Sequence, residues 1–143
     1  MSVDLAHRPV EVQASAKIAA FFDVDNTLLP GAASELRFFR HLWRMGMVGW
    51  LEVFESMRYW LWEMPPVSYQ PLRLCKVYLQ GKSPDIIEPV AHRFCREHLI
   101  PTLSRQAVEQ LGLHRRAGHE VVLVTGSLDS LMAPLARFLE VDA

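Results

Sequence analysis

Cysteine is nearly absent: Cys75 and Cys95 are the only two, and they are too far apart to form a CxxC pair. That excludes a disulfide-stapled scaffold and a cysteine zinc site, and leaves buried, reduced thiols as the expectation. Neither sign of charge is in excess. Lys and Arg number 15 and Asp and Glu 16, for a formal net charge of -1. There is thus no general electrostatic attraction to nucleic acid. A spanning helix needs a run of about 18 residues without charge, and the chain has none. Met1 to Gln13 mixes charges with a proline and lacks the apolar core of a secretory signal, so the expected location is cytoplasmic. There is no repeat and no low-complexity segment. None of the six histidines stands at a metal-ligand spacing. His92 and His98 do not share a helical face as i, i+4 residues would.

Half of the residues are hydrophobic, enough for one domain with a core. Their most informative arrangement is Phe21-Phe22-Asp23-Val24-Asp25-Asn26-Thr27-Leu28-Leu29. The apolar run from Ile18 predicts a strand over 18–24, buried on both faces as in a parallel sheet. Side chains two apart on a strand point the same way, so Asp23 and Asp25 face one small volume. Two close carboxylates repel. The arrangement is stable when a cation lies between them, or when one stays protonated and acts as an acid. A hard dication beside a carboxylate nucleophile is the equipment of phosphoryl transfer. Far downstream, Glu120 to Val124 predicts a second buried strand, which ends in Thr125-Gly126-Ser127.

Helices fill the space between. Ser34 is placed to cap one that runs to about Met45, with Leu36, Phe39 and Trp43 in one apolar row and Phe38 and Leu42 beside it. Arg37, Arg40, His41 and Arg44 form a basic stripe at i, i+3, i+4 and i+7. A solvated face is the favoured reading of that stripe. Anion recognition, of a substrate headgroup or a phospholipid surface, is the other. A second helix covers about Trp50 to Glu63. Trp50, Phe54, Met57, Trp60, Leu61 and Trp62 make it apolar over most of its circumference, and core packing is favoured over a pocket or membrane contact. A third helix begins at Ser68 and stops at Gly81. Ser83-Pro84-Asp85 starts a fourth, in which Pro89 is expected to force a kink or restart. A fifth begins near Thr102 and closes at Gly118, and a sixth begins after Ser127 with Leu128, Leu131, Leu135 and Leu139 on one face. Without the inserted helices, strand, helix and strand remain, which implies two adjacent parallel strands joined by a right-handed crossover. Asp23, Asp25 and Thr125 then meet at the edge where open parallel sheets hold ligands.

Asp23-x-Asp25-x-Thr27 at a strand end, followed by Val121-Val122-Leu123-Val124-Thr125-Gly126-Ser127, resembles the first and second motifs of the haloacid dehalogenase superfamily. The flanks, from Ala20 to Gly31 and from Gly118 to Ser127, resemble its phosphoserine-phosphatase-like branch, whose helical cap follows the first motif. The resemblance implies an α/β fold. It would be a parallel Rossmann-like sheet, of which the first two core strands are present, with an inserted helical-bundle cap. Residues 1–33 and 100–143 would be core and 34–99 cap. It implies a phosphatase acting on a small or lipid-like phosphomonoester through an aspartyl-phosphate. Asp23 would be the nucleophile and Asp25 the acid and base. Thr27 would orient Asp25, and Thr125, Gly126 and the Asn26 backbone would bind phosphate. Mg²⁺ would be held by the Asp23 carboxylate and the Asp25 carbonyl. The superfamily's third-motif Lys and fourth-motif acidic pair have no counterpart up to Ala143. The expectation is therefore a chain nearly inactive by itself, which covers an open strand edge by self-association or is a fragment of a longer protein.

Two other readings compete. A relative without chemistry would bind partners through its Trp-rich helices, and should tolerate Asp23→Asn. Asp23-Val24-Asp25 as the metal motif of a nucleotide-sugar glycosyltransferase is disfavoured, because no nucleotide-binding region precedes it.

Overall fold

The computed structural model describes residues 17–63 and 76–141. Strand β1 (Ala19–Asp23) and strand β2 (Glu120–Val124) form a two-stranded parallel sheet. Ala19 lies opposite Glu120 and Asp23 opposite Val124. One further bond, from the Val24 N–H to the Val124 carbonyl, carries the ladder past the strand ends. Between them come helix α1 (Ser34–Arg44), helix α2 (Trp50–Glu63), a 3₁₀ turn at Val77–Leu79, helix α3 (Pro84–Phe94) and helix α4 (Arg105–Arg116). Helix α5 (Asp129–Leu139) follows β2.

The two faces of the sheet differ. Phe22 meets His114 of α4 edge to face, and Val121 is buried on the same side. The opposite face carries Phe21, 70% exposed, and Val124, 50% exposed. The expectation of strands buried on both faces is therefore corrected: among the described residues, one face is covered and the other is open. The covered face belongs to one continuous cluster of buried residues. It takes in Val24, Leu28, Phe38, Leu42, Phe94, Leu99, Leu111, Leu131 and Leu135. Helix α5 contributes Leu131, Leu135 and Leu139 at the expected spacing.

Several element boundaries move for identifiable reasons. Ser34 lies inside α1, and Ala33 is the N-cap residue. Phe38 and Leu42 form the deepest row of that helix, while Leu36, Phe39 and Trp43 are half-buried. In α2, Trp50, Leu51, Phe54 and Met57 are half or more exposed, so the core reading fails for them. Trp50 packs edge to face on Trp43 instead. The side chains of Trp60, Leu61 and Trp62 lie outside the described residues, as do Cys75 and most of the helix expected from Ser68. Only its end is described, the 3₁₀ turn and Gly81 at φ 76°. Pro89 lies within an uninterrupted α3. The irregularity comes later, in a π turn at Cys95–Leu99 and a 3₁₀ turn at Ile100–Thr102. Helix α4 starts after Ser104, whose hydroxyl accepts from the Ala107 N–H, so the helix expected from near Thr102 begins three residues later, at Arg105. Cys95 is buried as anticipated, and burial pushes its thiol up to about 11. It is protonated and unreactive at neutral pH. No helix among the described residues is long and apolar enough to cross a membrane.

Candidate active site

The chain reverses sharply after Val24. The Asn26 N–H donates to the Leu29 carbonyl at 2.9 Å, and the Leu29 N–H to the Val24 carbonyl at 2.8 Å. Asn26 takes φ 67°, a left-handed conformation that Asn tolerates better than most residues. Leu28 and Leu29 are fully buried and anchor this loop, while Asn26 and Thr27 project from it. Asp23 and Asp25 thus end in different surroundings despite their two-residue spacing.

Asp25 is buried, with 7% of its surface exposed. Its Oδ1 accepts from the backbone N–H of Ser34 at 2.7 Å, and its Oδ2 from the Ser127 hydroxyl at 3.4 Å. The first bond makes Asp25 a distant cap for α1, where Ala33 has no side-chain acceptor to offer. The hydroxyls of Ser34 and Ser127 are 2.6 Å apart. A hydroxyl has a single proton. With that of Ser127 directed at Asp25, Ser34 is the donor in this pair. A chain of bonds therefore runs from Ser34 through Ser127 to Asp25, and ties the start of α1 to the loop after β2.

Asp23 is exposed at the end of β1. Among the described residues its carboxylate has no hydrogen bond or ion pair. A nucleophile or metal ligand needs such free lone pairs. Thr125 follows directly on Val124, the ladder partner of Asp23. Its Oγ1 accepts from the Ser127 N–H at 3.0 Å, which leaves its own proton free to donate. A Cβ at Gly126 would meet open space, so no protein atom crowds that backbone.

Thr27 is exposed and makes no side-chain hydrogen bond among the described residues. Ser34 and Ser127 perform the orientation of Asp25 that the sequence reading gave to Thr27. The sequence pattern places Ser34 only as a helix cap, because a polar residue at a helix start looks alike whether it faces water or a buried acid. Glu35 was also missed. It is buried, 5% exposed, with the Tyr78 hydroxyl 3.4 Å from its Oε1. Burial holds its carboxyl above the ordinary range, and nearby Lys76 and the Tyr78 bond only partly oppose this.

Among the described residues no three His, Cys, Asp or Glu side chains cluster as a metal site. Mg²⁺, however, is commonly held by one or two carboxylates, with substrate phosphate and water completing an octahedron. The unengaged Asp23 carboxylate beside an exposed turn fits that limited donor role.

Comparison with known proteins bears on the family of the chain. The profile of the haloacid dehalogenase-like hydrolases matches residues 20–143. A crystal structure of a protein of unknown function from Bordetella pertussis Tohama I superposes with a TM-score of 0.68 at 28% identity. The match covers 88% of this chain and spans 57% of the length of that relative. No curated protein matches the chain.

Proposed function

Because the chain belongs to the haloacid dehalogenase-like hydrolase family, we propose that it carries the nucleophile and acid-base half of a phosphomonoester hydrolase. One observation carries the reading: two aspartates of one motif stand in opposite environments, Asp23 exposed and unengaged, Asp25 buried and held through both oxygens. Asp23 has lone pairs free for attack, and Asp25 is fixed in place where it can exchange a proton.

The proposed reaction has two halves. An Asp23 oxygen attacks phosphorus, and the bond to the ester oxygen breaks. Asp25 gives its proton to that leaving oxygen. Water then attacks the aspartyl-phosphate, returns a proton to Asp25 and releases inorganic phosphate and free Asp23. Each Asp25 oxygen accepts one hydrogen bond and keeps a second lone pair for this work. Thr125 Oγ1–H, the Gly126 and Asn26 N–H groups and the N-terminal end of α5 would bind the phosphoryl oxygens. Mg²⁺ held by Asp23 and the Asp25 carbonyl would offset phosphate charge. The substrate class is a small or lipid-like phosphomonoester, and the phosphoserine-phosphatase-like branch remains part of the proposal.

A panel of phosphomonoesters with Mg²⁺ tests this. Asp23→Asn should lower phosphate release by about a thousandfold or more, since it removes the nucleophile. Equal and measurable rates above the uncatalysed background for wild type and variant would refute the assignment.

A further inference from the structure

The basic stripe on α1 is only partly solvated: Arg40 and Arg44 are exposed, and Arg37 and His41 are half-buried. Arg37, Arg40, His41 and Arg44 form one wall of a groove, and Phe94 with His98, from the end of α3 and the π turn, form the other. The groove has a volume of about 250 Å³, roomy enough for a phosphate-sized ion.

Four of its side chains, Arg37, His41, Phe94 and His98, are positioned by contacts. Arg37 donates to the His98 carbonyl at 2.6 Å and to Thr102 Oγ1 at 3.1 Å. A guanidinium has five N–H donors, so the remaining three are left on a fixed head. The His41 and Phe94 ring centroids are 4.9 Å apart, and those of His41 and His98 5.4 Å. Among the described residues, Arg37, Arg40 and Arg44 form no ion pair; Arg93, Arg96, Arg116 and Arg137 form none either, so what sets these three apart is the groove they share. Glu97 is the acid near His41, and it too makes no ion pair there. Burial and the facing His98 hold His41 below the ordinary imidazole range, Glu97 opposes them and Arg44 adds to them. The groove therefore gathers three arginine charges that have no ion-pair partner among the described residues, an arrangement that a bound oxyanion would relieve.

We propose that this groove is an anion site for a phosphate group, free or on a headgroup, built by Arg37, Arg40 and Arg44 and sharing no residue with the Asp23 site. It does not depend on the hydrolase reading. Arg37 supplies a rigid donor at the floor, and exposed Arg40 and Arg44 close on the ligand from the rim.

The test follows the ring proton resonances of His41 and His98 by NMR while inorganic phosphate is added at constant ionic strength. Saturable shifts are expected. The surface double variant Arg40→Ala/Arg44→Ala should weaken affinity by at least about tenfold, because charge-assisted bonds are lost. Asp23→Asn should leave these shifts unchanged, which separates this site from the other. Cosedimentation with phosphatidylglycerol vesicles gives the source of the phosphate. Vesicle binding that the double variant abolishes assigns a lipid headgroup, and phosphate binding without vesicle binding assigns a soluble ligand. Shifts that do not saturate, that chloride reproduces, or that persist in the double variant would overturn the proposal.

Discussion

Identical side chains diverge here because of what surrounds them. Asp23 and Asp25 differ by two positions in sequence, yet only Asp25 meets a helix start and a serine hydroxyl. Glu35 shows the same effect more sharply. Its carboxyl binds its proton more tightly in the folded protein than in the unfolded chain, because burial disfavours the anion. The sign of the consequence follows by linkage. The stability that this protonated group provides is complete below its ordinary value of 4.5 and is lost as pH rises through the higher folded value. Glu35→Gln cannot ionise and keeps an acceptor for Tyr78. Its melting temperature should match wild type near pH 4 and exceed it at pH 8. A gap that is constant across pH, or reversed at pH 8, would contradict this account of Glu35.

Among the elements, the loop after β1, the start of α1 and the loop after β2 are joined by hydrogen bonds among Asp25, Ser34 and Ser127. Ser127→Ala leaves the buried Ser34 hydroxyl without its acceptor and frees one Asp25 oxygen. A stability loss of about 1–3 kcal/mol is expected in urea unfolding. Phosphate release should fall about tenfold to a hundredfold, with a smaller change in KM, since Asp25 loses its orientation rather than the substrate its binding group. Unchanged turnover would show that Asp25 is oriented without Ser127.

Much of this was legible in the sequence for a physical reason. Periodicity and turn chemistry are local, and so β1, β2, α2, α3 and α5, the Pro84 start and the Gly118 end could be read residue by residue. What was not legible is non-local. The acceptor for the start of α1 is Asp25, across a loop, so Ser34 could not be told from an ordinary cap. Whether Trp50, Leu51, Phe54 and Met57 were buried depended on what faced α2, and hydrophobicity alone cannot say. The stripe of α1 was correctly found, but the wall that turns it into a groove comes from the far end of α3 and the π turn beyond it.

At the scale of the whole molecule, one face of the sheet is open among the described residues, with Phe21 and Val124 exposed on the same side as Asp23. Apolar sheet surface of this kind favours association. Self-association of the chain is expected to rise with concentration in light scattering, and Phe21→Glu should shift it toward monomer. A wild-type chain that stays monomeric at high concentration would remove this expectation. The central claim, that Asp23 becomes covalently phosphorylated, has a more direct test. Asp25→Asn should slow breakdown of the intermediate. This variant would be mixed with a phosphomonoester and Mg²⁺, quenched in acid and digested for peptide mass spectrometry. The account predicts one hydroxylamine-sensitive phosphoryl group on the peptide containing Asp23, absent from the Asp23→Asn protein. Substrate turnover with no phosphoryl group on that peptide, or with the group on another residue, would contradict it.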